Sequence, residues 1–335
     1  MAEDVGAASR LVTVFGGSGF VGRHVVRALA RDGWRIRVAS RRPDLAFHLQ
    51  PLGKVGQIHA VQANLRFPAS VANALRGSSA IVNLTGILSE SGHQSFDGLH
   101  VFGASAVAKA AASAGIANLV HMSAIGADPQ AVSHYARSKG RGELLVHAAV
   151  PGAIILRPSI VFGPEDDFFN RFAAMARLFP ALPLIGGGAT RFQPVYVGDV
   201  ADAVALALAG RAQAGSTYEL GGPEVKSFRD LLAYICAVTG RNRLLANVPF
   251  GVAGVMARGT ELAMGLSLGL FPKMLAMTRD QVESLRHDNI VSDAAISQGR
   301  TLQGLGLRAQ TIEAVVPAYL HRFRKTGQFE QKKPA

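Results

Sequence analysis

Cysteine is almost absent from this chain: Cys236 is the only one in 335 residues, so no internal disulfide can form and nothing points to an oxidising compartment. Aromatic residues are scarce at 7%, and no Lys/Arg block is interleaved with them, which argues against nucleic-acid binding through stacking platforms. Uninterrupted apolar runs of about 18 residues are also missing. The most hydrophobic region, residues 249–277, is broken by Arg258, Glu261 and Lys273 and does not read as a membrane span. The ten histidines, His93, His100, His121 and His134 among them, show no spacing with cysteine or carboxylates that would build a metal site. The opening MAEDVGAASR carries Glu3 and Asp4 and no apolar stretch, unlike a secretory signal or an Arg-rich transit peptide; the expectation is a bacterial protein. Acidic residues are the minority charge, 23 against 35 basic, for a net +12. That excess favours an acidic partner or an anionic lipid surface.

Hydrophobic residues make up 49% of the chain, ample for one large domain or two ordinary ones. Up to residue 156, short β-type runs at 11–15, 36–40, 57–61, 80–84, 119–122 and 153–156 alternate with amphipathic stretches at 21–31, 70–75, 96–114 and 135–149. The strands are continuously apolar, as in a parallel sheet covered by helices on both faces. This predicts an α/β, doubly wound sheet. Beyond it, Pro158, Pro164, Pro180, Pro183 and the triplet Gly186-Gly187-Gly188 mark loops around a helix at 168–178. Residues 192–197 read as a strand that returns to the main sheet, 199–208 as a helix opened by an acidic cap, and the chain from 227 onward as mainly helical. Asp166-Asp167 read as a helix start, not as a catalytic pair.

The strand at 11–15 runs directly into Gly16-Gly17-Ser18-Gly19-Phe20-Val21-Gly22 and then a helical pattern. Glycines allow the tight turn and the approach of a phosphate to the backbone, while the helix start offers free N–H groups to a pyrophosphate. A Rossmann-type dinucleotide domain is therefore predicted over 10–163, with 189–225 returning to it. A smaller, mostly helical lobe is expected over 164–188 and 226–327, then a flexible tail at 328–335. At the end of the second strand, where a carboxylate would bind the ribose hydroxyls of NAD(H), the sequence reads Ser40-Arg41-Arg42. Guanidinium groups there suit a 2′-phosphate, so the expected cofactor is NADP(H) and not NAD(H). After the third strand comes Asn64-Leu65.

In Tyr135-Ala136-Arg137-Ser138-Lys139 the first and last residues share a helix face. An ammonium beside a phenol lowers its pKa and can hold a nicotinamide ribose. Together with the glycine turn, with Asn83-Leu84-Thr85-Gly86, and with Arg157-Pro158 followed by Val161-Phe162-Gly163-Pro164, this segment resembles the extended or atypical branch of the short-chain dehydrogenase/reductase superfamily. LRPSIVFGPEDDFFNRF, FQPVYVGDVADAV, YELGGPE and MTRDQVESLRHDNIVS are similar, more narrowly, to the nucleotide-binding accessory subunits of respiratory complex I (NADH:ubiquinone oxidoreductase), over about residues 11–323.

The resemblance implies an NADP(H)-binding, non-catalytic subunit on the peripheral arm near the membrane and quinone region. Its partners would be other complex I subunits, and its place the cytoplasmic face of a bacterial inner membrane. Cofactor contacts would extend to Leu84, Thr85, Gly86, Ser123, Tyr135, Lys139, Pro158 and Ile160. Residues 249–277 read by themselves as a buried helix pair of the smaller lobe, whereas the resemblance favours a segment that lies on an anionic lipid surface or against a membrane-bound partner. Superfamily enzymes place Ser or Thr after the fifth strand, whereas Ala124 takes that register here, with Ser123 before it. The resemblance also implies an aspartate after the third strand; Asn64 stands there, and its amide can still bond adenine. The alternative is a free NADP-dependent reductase or epimerase that uses Tyr135, Lys139 and Ser123; a nucleotide-sensing regulator is a third reading.

Overall fold

The structure is a computed structural model that describes residues 10–266, 275–325 and 327. The expected tail at 328–335, most of the opening decapeptide and part of the apolar stretch 249–277 lie outside these residues. The described chain forms two compact units, one of residues 10–158, 197–220 and 292–308, the other of 159–196, 221–291 and 309–327. Residues 189–196 and 221–225, expected on the sheet side, thus belong to the second unit, and 292–308 to the first. The backbone N–H of Glu219 donates to the Arg300 carbonyl at 3.0 Å, and that of Ser292 to the Glu219 carboxylate at 2.7 Å.

A seven-stranded parallel sheet forms the first unit. Strands β1 (Leu11–Phe15), β2 (Arg35–Ser40), β3 (Ile58–Gln62), β4 (Ala80–Asn83), β5 (Leu119–Met122) and β6 (Ile154–Pro158) are joined at the edge by Thr217–Leu220. Their order is Thr217–Leu220, β6, β5, β4, β1, β2, β3. The chain moves outward from β1 through β2 to β3, then crosses to β4 on the other side of β1. A switch of this kind opens a crevice at the carboxyl ends of β1 and β4, the usual ligand position in such sheets. Strands β4 and β5 are buried at every position, which is why they read as mainly apolar, with Asn83 and His121 their only polar members. Helices α1 (Phe20–Arg31), α2 (Pro68–Leu75), α3 (Ala104–Ser113), α4 (His134–Ala149) and the helix Val197–Leu208 cover the sheet. The π-helical turn Asp97–Gly103 precedes α3, so the stretch expected as one helix over 96–114 changes its winding midway. Phe15, Val71, Leu75, Ile81, Val107, Leu119, Val146 and Ile155 form one continuous core, each contributing roughly 1.5–3 kcal/mol of burial.

The stretch 192–197 does not return to the main sheet. It splits into Arg191–Phe192, antiparallel to Lys226–Ser227, and Val195–Tyr196, parallel to Val161–Phe162. Pro194 lies between the halves and has no N–H to give a ladder. In the second unit, Phe162, Phe169, Leu182, Leu231, Ile235, Val316 and Leu320 make the core. Asp166 caps the helix Phe168–Leu178, accepting from the N–H groups of Phe169 (2.7 Å) and Asn170 (3.1 Å). Its other oxygen accepts from the Gly163 N–H at 3.1 Å and from the Tyr319 hydroxyl. The helix Phe250–Leu266 buries Ala253 and Ala257 but exposes Val252, Val255, Met256 and Leu262. Among the described residues no helix is long and apolar enough to cross a membrane.

Candidate functional site

The site is built at the carboxyl ends of the strands of the first unit. Gly16 follows β1 with φ +77°, in the left-handed region that favours glycine. A Cβ there would lie 3.1 Å from the Leu84 carbonyl carbon, since the Leu84 N–H donates to Phe15 at 2.9 Å and draws the two loops together. Gly22 is the more restrictive position. A Cβ on it would sit 2.2 Å from the Gly16 oxygen and 2.6 Å from the Gly17 backbone. Helix α1 therefore begins in direct contact with the turn. Gly19 is its N-cap, with extended backbone and no side chain on the first-turn N–H groups, and that turn holds no acid. Ser18, Phe20 and Val21 are half-buried around it. A close backbone cradle with uncapped N–H groups fits a dinucleotide pyrophosphate.

The Tyr135–Lys139 pair lies on α4, which Ser133 opens by accepting from the Ala136 N–H at 3.3 Å. Two glycines just beyond Lys139 allow the helix its close approach. A Cβ on Gly142 would be 2.1 Å from the His100 oxygen, and one on Gly140 would be 2.4 Å from the Asp128–Pro129 peptide. Drawn in this way, Lys139 is only 5% exposed and donates to the Met122 carbonyl at 3.1 Å. Burial pushes its ammonium down to about 8, against the opposing pull of Glu143. A Cβ on Gly86 would lie 3.2 Å from the Lys139 nitrogen and 3.4 Å from His100 Nε2; Lys139, His100 and Gly86 thus converge at the ends of β4 and β5. Gly142→Ala is expected to push the π-helical turn away and to lower stability by about 1–3 kcal/mol, read as a lower urea midpoint.

Sequence spacing did not single out the residues that pack beneath this point. His100 Nε2 accepts from the Ile87 N–H at 3.1 Å, so the proton is on Nδ1, which donates to Ser138 Oγ at 2.9 Å; Ser138 in turn donates to the Tyr135 carbonyl at 2.8 Å. The Tyr135 ring packs edge-on against Phe96 and His100. Asn83 accepts from the Thr85 N–H at 3.2 Å and hydroxyl at 2.5 Å, and its amide N–H group donates to His121 Nδ1 at 3.1 Å. Burial, reinforced by the Lys139 charge, holds His100 down to about 2 and His121 down to about 3. Both are neutral. Ser123 is 3% exposed and its hydroxyl reaches no partner among the described residues.

At the β2 end, Ser40 Oγ lies 3.3 Å from the Arg42 backbone N–H. The Arg42 guanidinium is held by Asp44 through bonds of 3.1 and 2.9 Å, a counter-charge the sequence reading did not weigh. Arg41 donates instead to Gln94, which accepts at 3.0 and 2.9 Å when its amide oxygen faces the guanidinium. Asn64 accepts from the Arg66 N–H at 3.1 Å and closes the turn after β3, and Leu65 is buried in the core. Pro158 ends β6, its carbonyl accepting from the Ile125 N–H at 3.0 Å. Ile160 belongs to the second unit.

Residues 12–221 match the NAD dependent epimerase/dehydratase family. The chain is 32% identical over 320 residues to the Arabidopsis thaliana mitochondrial NADH dehydrogenase [ubiquinone] 1 alpha subcomplex subunit 9, covering 95% of this chain and 79% of that protein. It is also 34% identical over 191 residues to a ceramide reductase of Caulobacter vibrioides, a match covering 57% of this chain and 58% of that one. An Escherichia coli NADPH-dependent quinone oxidoreductase, QOR2, solved with NADPH, shares the fold at a TM-score of 0.70 and 20% identity, with 92% of this chain and 99% of that one covered. The cofactor class is accordingly a nicotinamide dinucleotide, and the chain belongs to the NAD dependent epimerase/dehydratase family, within its branch of alpha subcomplex subunits of NADH dehydrogenase.

Proposed function

We propose that this chain is an accessory subunit of respiratory complex I that holds NADP(H) as a structural group and does not turn it over. The likeness to the Arabidopsis subunit across 95% of the chain carries the reading. Three local features support it. Ala124 stands where superfamily enzymes place a hydroxyl, and Ser123 beside it is buried. The β2 end offers Arg41 and Arg42, and no carboxylate at the strand terminus, for a 2′-phosphate. The exposed apolar face of the helix Phe250–Leu266 carries Arg258, also exposed, as an anionic lipid surface would require. The subunit would sit peripherally at the cytoplasmic face of a bacterial inner membrane, touching other complex I subunits. A nucleotide bound only by the folded chain adds stability by mass action, about 4 kcal/mol at a thousandfold excess over Kd.

Gentle solubilisation of native membranes followed by native electrophoresis tests the assembly. The chain is expected to travel with NADH:ubiquinone oxidoreductase activity; migration as a free monomer or dimer would overturn the reading. Similarity to a ceramide reductase favours a second reading, a free reductase with Tyr135 as acid and Lys139 beside it. NADPH turnover that disappears in Tyr135→Phe would establish that reading instead.

A further inference from the structure

We infer that a pocket at the C-terminal end of the helix Phe228–Val238, inside the second unit, binds a phosphate monoester through Arg241 and Arg243. The pocket has a volume of about 500 Å³ and is lined by these two arginines together with Ala233, Cys236, Ala237 and Leu245. Gly240, at φ +63°, closes the helix: its N–H donates to the Ala237 carbonyl at 3.1 Å, and that of Arg241 to the Cys236 carbonyl at 2.9 Å. Both arginines therefore follow directly on a finished helix end.

Each guanidinium is fixed by one edge. Arg241 Nε donates to the Phe323 carbonyl at 3.1 Å, and Arg243 Nε to the Ala176 carbonyl at 2.6 Å. Arg324 Nε reaches back to the Val238 carbonyl at 2.9 Å, so it and Arg241 tie the same two segments together. Satisfying carbonyls at the ends of helical segments accounts for every Nε. It does not account for the terminal nitrogens. Those of Arg241 and Arg324 make no bond among the described residues, and Arg243 gives one N–H to the Asn242 carbonyl at 3.4 Å. No carboxylate pairs with any of the three among the described residues. Cys236 adds no counter-charge, because burial pushes its thiol up against the opposing pull of Arg243.

Uncompensated cations on adjoining segments repel one another, and an anion among their free N–H groups relieves that repulsion. A carboxylate would offset one charge. A phosphate monoester carries nearly two and presents three acceptor oxygens to planar forks already held in place. Ala233, Ala237 and Leu245 give the organic part of the ester an apolar wall. A soluble ester and the headgroup of phosphatidic acid share this chemistry.

Two probes, applied with NADPH in excess so that the glycine turn offers no competing phosphate site, test the pocket and separate the sources. Glycerol 3-phosphate is titrated by calorimetry. Phosphatidylcholine vesicles containing phosphatidic acid are compared by co-sedimentation with vesicles containing phosphatidylglycerol, a diester. Ala237→Glu leaves every arginine anchor in place and sets a carboxylate in the pocket from an exposed helix position, so it decides the matter even where Arg241→Gln fails to fold; Arg258→Gln controls for the exposed helix Phe250–Leu266. Wild type is expected to bind glycerol 3-phosphate, which identifies a soluble ester, or to bind phosphatidic acid vesicles in excess of phosphatidylglycerol ones, which identifies a headgroup. Either response should weaken about tenfold or more in Ala237→Glu and Arg241→Gln and persist in Arg258→Gln. Neither response in wild type, or a response that Ala237→Glu leaves unchanged, would overturn the inference.

Discussion

Gly22→Ala is expected to eliminate the copurifying nucleotide and to lower stability by several kcal/mol. The new Cβ would stand 2.2 Å from the Gly16 oxygen and 2.6 Å from Gly17, and none of these atoms is the movable end of a side chain. Helix α1 must withdraw from the turn, which displaces the first-turn N–H groups from a pyrophosphate; overpacking against backbone costs about 1–3 kcal/mol or more before any ligand is lost. Two comparisons isolate the cause. At Gly19 the nearest atom to a new Cβ is 3.4 Å away, so Gly19→Ala should retain the fold. At Gly259, inside an exposed helix, a Cβ meets nothing within 4 Å, and alanine there should raise stability by up to about 1 kcal/mol. Nucleotide released on denaturation and the thermal midpoint are the readouts. Wild-type loading in Gly22→Ala would exclude this turn as the pyrophosphate cradle.

Acid is expected to destabilise the protein steeply below pH 6.5. His100 and His121 titrate in the folded chain at about 2 and about 3, whereas in the unfolded chain they titrate near 6.5. Their contribution is complete above pH 6.5. As pH falls through the window from 6.5 towards 3, the unfolded chain takes up two protons that the folded chain refuses, and each costs about 1.4 kcal/mol per pH unit. By pH 5 the loss is roughly 4 kcal/mol, a large share of an ordinary domain's stability. Lys139 acts in the same direction at the alkaline end. Its folded value of about 8 lies below the ordinary lysine value of 10.5, so stability rises between those limits as the unfolded chain gives up its proton. Urea midpoints across pH 4–10 measure both limbs. His100→Asn or His121→Asn should each halve the acid slope, whatever it does to stability at pH 7; an unchanged slope in both would show that the acid response arises elsewhere.

Much of this architecture is legible in the residues themselves. Strands β1 and β5 begin and end where the apolar runs do, and the glycine turn follows from its spacing, because both depend on neighbours in sequence. The seventh strand, Thr217–Leu220, is different: it alternates polar and apolar side chains at a sheet edge over four residues, too short a run to register as a buried strand. Gln94 and Asp44 were invisible for another reason. Nothing in Ser91-Gly92-His93-Gln94 refers to Arg41, and the two meet only because β4 is laid down beside β1, on the side opposite β2. Asp44 is merely two residues from Arg42, yet whether an arginine turns to its neighbour or to a ligand is decided by the loop geometry. His100 carries no signal in its spacing, and its role as a neutral spacer joining Ile87 to Ser138 comes from the tertiary packing.

The interleaving of the two units bears on how the chain can be made. The sheet unit depends on residues 292–308, where Arg300 bonds Glu219. The other unit depends on the helix Ile312–Leu320, whose Tyr319 reaches Asp166 across 153 positions. The main core of the sheet, Phe15 to Ile155, has been delivered once about half the chain is made, whereas the second core waits for Val316 and Leu320. The apolar surface of the second unit must therefore be protected until translation is nearly over, long after the strands of the sheet have emerged.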